Sequence, residues 1–120
     1  MSETIKKISI ISPCLNESQS LYKCHSAVKD PFSNELSSYK YEHIFSDNNS
    51  SDGSKEILRK IANEDKNAKI IFNTSNYGSQ KSIFNSLKYA SGDAIILFLP
   101  IDLQDPPHLN LLKNGNLDMM

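Results

Sequence analysis

Asp102, Gln104 and Asp105 follow an apolar run at 95–101 and are closed off by Pro106 and Pro107. Hard oxygen donors at the carboxyl end of a buried strand are where a parallel α/β sheet would hold a divalent metal and a phosphate ester. A polar turn is the alternative at the same place, with Asp105 capping a helix whose first position is Pro106. That turn accounts for Asp105 and leaves Asp102 and Gln104 unexplained.

Three further polar clusters follow apolar runs: Pro13-Cys14-Leu15-Asn16-Glu17, Asp47-Asn48-Asn49-Ser50-Ser51-Asp52-Gly53 and Thr74-Ser75-Asn76-Tyr77-Gly78. Asp47 could accept a hydrogen bond from a base N–H or a ribose hydroxyl. An Asx-type turn leading to a helix cap fits the same residues, and Asn48 and Asn49 favour it. Glu17, taken alone, reads as an exposed charge at a helix start rather than as a ligand contact. Gly78 lacks a Cβ and could let backbone approach a ligand, or simply serve a turn. Lys81 could meet a phosphate from the next helix or stay solvated. His25, His43 and His108 have no ligand spacing, so no metal or acid–base role is expected of them.

The elements that must position these clusters alternate. Apolar strands are predicted at 7–13, 41–46, 68–73 and 93–99, the first and last being near-continuous apolar runs that suit strands covered on both faces. Ile57, Leu58, Ile61 and Ala62 form one face of a helix entered near Ser51 or Asp52, with Glu56 in its first turn. Ile83, Phe84, Leu87 and Ala90 make a second apolar stripe, for which Gly92 is the expected stop. A weaker helix is predicted at 18–28, ended by Pro31, with an irregular connection at 33–40. Strand alternating with helix implies a parallel sheet with right-handed crossovers. Ligands on such sheets bind outside the carboxyl ends of the strands, where all four polar clusters fall.

Composition narrows the classes. The 120 residues, 38% hydrophobic and without Trp, suit a single modest domain. A formal net charge of -1 with scattered basic residues predicts no drive toward nucleic acid or an anionic membrane. Cys14 and Cys24 form neither a CxxC nor a zinc pattern and read as reduced thiols of a cytosolic chain. The beginning, with Glu3 and a short apolar run at 8–11, lacks a signal-peptide pattern. No apolar segment approaches the roughly 18 residues needed to cross a bilayer. Neither GxGxxG after the first strand nor GxxxxGK[ST] is present, and no Ser, Cys and His arrangement resembles a hydrolase triad. A phospho-receiver module, also alternating, would need acidic residues after its first strand and a fifth strand ending in Lys.

In order, the four clusters resemble the motifs of the family-two inverting glycosyltransferases of the GT-A fold, in particular the polyprenyl-phosphate glycosyltransferases. Pro13 to Glu17 looks like that family's Pro-x-x-Asn-Glu opening, and the 47–54 segment looks like its Asp-Asp-Gly-Ser-x-Asp-Gly-Thr loop. Asn76-Tyr77-Gly78 resembles its Asn-Phe-Gly element. Asp102-Leu103-Gln104-Asp105-Pro106-Pro107 is similar to its metal-binding motif nearly letter for letter. The resemblance implies an α/β, Rossmann-like GT-A nucleotide-sugar-binding fold with a mostly parallel sheet and flanking helices. It implies that Pro13, Leu15, Asn16 and Glu17 border the base and ribose, that Asp47 bonds the base, and that Gly78 belongs to the donor site. Asp102 and Gln104 would face Mg²⁺ or Mn²⁺ on the diphosphate of a UDP- or GDP-sugar. A polyprenyl phosphate at the membrane surface is the implied acceptor; no catalytic base is identified.

Two positions depart from the family pattern. Pro100 stands where the metal motif usually has its first Asp, which implies weaker metal affinity, and Asn48 replaces the second Asp of the base-binding loop. The expected organisation is a truncated domain, with 1–113 the donor-binding part and 114–120 an irregular tail. A cytoplasmic location follows, peripheral at the inner membrane face if the acceptor is lipid-linked. The alternative to an enzyme is a nucleotide-sugar-binding remnant without turnover.

Overall fold

From its second residue on, every residue of β1 (Lys7–Cys14) is buried, as only a central strand covered on both faces allows. The computed structural model describes residues 5–99. Along them follow α1 (Leu21–Ser33), β2 (Lys40–Asp47), α2 (Ser54–Glu64), β3 (Ala68–Phe72), α3 (Gly78–Leu87) and β4 (Ala94–Leu97). The strands pair in parallel in the order β3-β2-β1-β4. The chain therefore steps outward from β1 to β3, then returns through α3 to lay β4 on the other flank of β1. Such a reversal opens a crevice beyond the carboxyl ends of the central strands. The α/β fold with a parallel sheet and flanking helices is the one expected. Among the described residues no helix is long and apolar enough to cross a membrane.

The two faces of the sheet are built differently. Ile10 lies beside His43 and Ser12 beside Phe45, so even-numbered residues of β1 share a face with odd-numbered residues of β2. Helices α1 and α2 cover that face, and Leu21, Val28, Phe32, Leu58 and Ile61 join Ile8, Ile10, Phe45 and Phe98 in one hydrophobic core. His43 is buried there with its Nε2 2.8 Å from Ser12 Oγ, whose own proton goes to the Phe98 carbonyl. Nε2 is then the donor, and Nδ1 is a buried acceptor without a hydrogen-bond partner among the described residues. Burial, reinforced by His25 and opposed by Asp65, lowers the His43 pKa to about 3.

On the opposite face α3 lies close to β1 and β2 through small side chains. Ser82 and Ser86 are fully buried, with Ser82 Oγ 2.6 Å from Ser46 Oγ. The predicted stripe of Ile83, Phe84, Leu87 and Ala90 is therefore not the buried face. Phe84 is 70% exposed, and Ala90 lies beyond the helix. Close approach to a serine-lined sheet selects small residues over large apolar ones at this contact, overriding the apolar periodicity.

Three other expectations change. Pro31 lies inside α1, which starts at Leu21 and continues to Ser33. Proline removes one helical hydrogen bond, but the last turn buries Pro31 and Phe32, and Phe32 stacks on Tyr41 at 4.3 Å. Gly92 is not the helix stop, since Lys88 caps α3. Instead Gly92 abuts β1, where a Cβ would fall 2.6 Å from Ser9 Oγ and 2.7 Å from Ser9 N. Finally β4 is shorter than predicted and lies at the end of the strand order, leaving Leu97 37% exposed. The strand covered on both faces along with β1 is β2, even though it carries Glu42 and His43.

Glu42 is 1% exposed and ties the amino-terminal half of the sheet together. It accepts from Lys69 Nζ at 2.6 Å, Ser9 Oγ at 2.6 Å and Ser91 N–H at 2.7 Å, with Lys7 Nζ at 3.6 Å. Burial alone would raise its pKa, but the bonds from Lys69, Ser9 and Ser91 outweigh it and hold the carboxyl at about 2.

Candidate functional site

Where β1, β2 and β3 end, the hydrogen bonds that fold each turn decide which groups remain for a ligand. Asn16 adopts φ 54°, a left-handed conformation that asparagine tolerates better than most residues. Its N–H donates to Ser50 Oγ, and its Oδ1 accepts from Ser51 N–H, both at 2.8 Å. These bonds clamp the β1 turn to the β2 turn. Ser50 is held in turn by Asp47, whose carboxylate accepts from Ser50 N–H at 3.0 Å and Ser50 Oγ–H at 2.5 Å. Asp47 is fully buried, so the Asx-type turn engages both of its oxygens within the loop.

Asp52 stands just before α2, with Gly53 at the cap position and φ 95°. It accepts from Ser54 Oγ at 2.6 Å and Ser54 N–H at 3.0 Å, and from Ser18 N–H at 3.2 Å. The Ser54 hydroxyl bond, opposed by desolvation and helped by Ser18, holds its carboxyl at about 2. Glu17 shifts the other way: partial burial, then the nearby Asp52, raises its pKa. The Cys14 thiol is pushed far above its ordinary range by burial first and Asp47 second. It therefore stays a neutral thiol, with Sγ 3.7 Å from the Ser46 carbonyl.

The β3 turn folds on itself. Asn76 Oδ1 accepts from Gly78 N–H at 3.0 Å, and Thr74 Oγ1 lies 2.9 Å from Tyr77 OH. Gly78 has φ 83°, and a Cβ there would meet nothing within 4 Å. Glycine is required by torsion at this position, not by space.

A cleft of about 340 Å³ opens among these turns, lined by Pro13, Cys14, Leu15, Glu17, Asn48, Asn76, Gly78, Ser79 and Leu99. Of the residues singled out from sequence, Pro13, Leu15, Glu17 and Gly78 line this one cleft. Asn16 and Asp47 are not among its lining residues; they hold the two turns together behind it. Lys81 borders a separate groove with Tyr77, Asn85 and Tyr89. Asp102 and Gln104 lie outside the described residues. Among those described, no group of three or more His, Cys, Asp or Glu side chains could hold a metal ion. Sequence reasoning left Cys14 and Asn48 out of the site and gave Asn73, which bonds to Asn48, no role. Their position at strand ends was the available signal, because such residues face the crevice whatever turn follows.

Comparison with known proteins places this geometry. A model of glycosyl transferase family 2 matches residues 9–113. A prophage bactoprenol glucosyl transferase homolog of Escherichia coli (strain K12) is 35% identical over 118 residues, covering 95% of this chain and 38% of the relative. An undecaprenyl-phosphate 4-deoxy-4-formamido-L-arabinose transferase of Yersinia enterocolitica is 40% identical over 111 residues, 88% of this chain and 32% of the relative. The chain thus spans well under half the length of these relatives. In fold, it is similar to a mannosyltransferase from Pyrobaculum calidifontis in complex with GDP-Man and Mn²⁺. The TM-score is 0.70 at 17% identity, covering 82% of this chain and 28% of that one. It is also similar to S. aureus TarS 1-349 in complex with UDP-GlcNAc, with TM-score 0.67 at 18% identity, covering 91% of this chain and 32% of that one.

Proposed function

Since this chain belongs to glycosyl transferase family 2, we propose that it forms the donor-binding part of an enzyme moving a sugar from a UDP- or GDP-sugar to a polyprenyl phosphate. One observation carries the proposal. Three turns at one edge of a parallel sheet enclose a cleft beside the point where strand order reverses, and the family match runs through all of them. Relatives named as bactoprenol and undecaprenyl-phosphate sugar transferases support the lipid-linked acceptor.

In this proposal Pro13, Cys14 and Leu15 give an apolar wall for the base, and the clamp of Asn16 on Ser51 keeps that wall in place. Gly78 opens α3 and leaves its backbone accessible to the donor. The resemblance of Asp102-Leu103-Gln104-Asp105 to the family's metal motif assigns a divalent ion, Mg²⁺ or Mn²⁺, to Asp102 and Gln104. When bound, such an ion supplies positive charge against the diphosphate leaving group. A phosphate monoester acceptor has a second pKa of about 6 and is already anionic at neutral pH. It needs no general base from this chain.

Calorimetric titration of the chain with UDP-glucose and GDP-mannose, with and without Mn²⁺, tests the proposal. Saturable binding of one donor, strengthened by Mn²⁺ and lost in Asp102→Ala, is the expected result. Absence of binding to either donor in a folded chain would sink it.

A further inference from the structure

Basic residues that are scattered along the chain meet at the amino-terminal edge of the sheet. Lys7 opens β1 beside Lys40 at the start of β2, and Lys66 sits in the turn that leads into β3. All three line one pocket of about 480 Å³ together with Phe32, Tyr39 and Tyr41, a size that holds a small molecule. Phe32 belongs to the hydrophobic core and stacks on Tyr41 at 4.3 Å, and Tyr39 and Tyr41 pack against that core, so the aromatic wall is fixed. The eight residues of β1 put this pocket roughly 25 Å from the turns that enclose the donor cleft.

The acids of this edge are already engaged. Glu42 takes Lys69 Nζ at 2.6 Å and Lys7 Nζ at 3.6 Å. Asp65 pairs with His25 Nε2 at 2.8 Å and accepts from Asn67 N–H at 2.9 Å. Asp93 accepts from the N–H groups of Lys6 and Lys7 at 2.9 and 3.0 Å. Lys40 and Lys66 make no ion pair among the described residues. Two ammonium charges therefore border an aromatic pocket without a counter-charge from the described fold.

We infer that this pocket is a second ligand site, taking a soluble organic phosphate monoester. Its phosphate meets Lys40 and Lys66, with Lys7 at the back, and its apolar part lies on Tyr39 and Tyr41. A monoester carries about −1.5 to −2 charge at neutral pH, which matches the two uncompensated ammonium groups. A concave pocket suits one molecule rather than a layer of lipid headgroups. The inference is independent of the donor-site proposal, because the two sites lie at opposite ends of the strands.

Titrating the full chain with phenyl phosphate, followed by calorimetry, tests it. Saturable binding that weakens as salt is added is expected, with benzoate, a single charge on the same ring, binding more weakly. The double variant Lys40→Gln, Lys66→Gln should lose about tenfold or more in affinity, the scale of a hydrogen bond to a charged group. Both side chains are exposed and unpaired, so its thermal unfolding should match that of the wild type. Should the double variant not fold, Lys66→Gln in its exposed turn decides by the same ratio. Absence of binding to the folded chain, equal affinity for benzoate, or an affinity unchanged in the variant overturns the inference. Co-sedimentation with phosphatidylglycerol but not phosphatidylcholine vesicles, lost in the double variant, would give the lysines to a membrane surface and overturn the soluble ligand.

Discussion

Strand β2 carries two buried carboxylates, Glu42 near its start and Asp47 at its end, and they are satisfied in opposite ways. Glu42 gathers Lys69, Ser9, Ser91 and Lys7, drawn from both neighbouring strands, β3 and β1, and from the turn before β4. Asp47 takes both of its hydrogen bonds from Ser50, three residues on. One acid joins distant parts of the sheet; the other shapes a single turn at the cleft. The difference shows how the fold divides its labour. Glu42 ties neighbouring strands together through bonds distant in sequence, while Asp47 spends its carboxylate on one turn at the edge of the cleft.

The largest expected effect follows from the first acid. Glu42→Ala strips the acceptor from a buried cluster and should cost about 3 kcal/mol of unfolding free energy, read by urea titration. Asp47→Ala removes two local turn bonds and should cost only about 1–2 kcal/mol by the same measurement. Equal losses would break the contrast between long-range and local acids.

Acid should weaken the part of β2 that carries Glu42 and His43. The folded-state pKa of Glu42, about 2, lies below the ordinary 4.5. Its contribution is therefore full above about pH 4.5 and is lost as pH falls toward 2. His43 behaves alike for a different reason: burial holds its folded-state value near 3, below the ordinary 6.5. The unfolded chain takes up that proton first, so stability declines as pH falls from 6.5 toward 3. Unfolding free energy measured against pH should accordingly fall in two overlapping stages. His43→Gln should flatten the upper one and Glu42→Gln the lower. A profile unaltered by either variant would remove both assignments.

The smallest predicted effect emerges from a comparison of two glycines. Gly92→Ala drives a Cβ to 2.7 Å from the Ser9 backbone nitrogen, and overpacking of this kind costs about 1–3 kcal/mol. Gly78→Ala meets no neighbour and carries only the strain of φ 83°, about 1 kcal/mol. Thermal unfolding of the two variants should therefore rank Gly92→Ala below Gly78→Ala.

Much of this molecule was legible without coordinates. Four strands, α2 and the polar turns at strand ends follow from apolar runs and turn chemistry, and their order within the chain marked the family. What stayed hidden depended on partners remote in sequence. Phe84 and Leu87 read as core because they are apolar at helical spacing, yet the serine-lined sheet favoured Ser82 and Ser86 for the contact. Gly92 read as a helix stop, because nothing local reveals that β1 passes against it. Pro31 read as a terminator, because its missing bond is visible in sequence and its burial with Phe32 and Tyr41 is not.

By itself, then, the sequence determined which described segments are strands, which loops carry polar chemistry and that the three described loops share one edge. Those properties arise from local periodicity and from the rule that alternating elements build a parallel sheet. Only the tertiary structure decided which polar groups are consumed within the fold and which are left facing the cleft. That outcome depends on the orientation of each donor and acceptor against neighbours tens of residues away. Asn48 is the plainest instance: its identity is written in the chain, but the direction of its amide is set by Asn73 across the sheet edge.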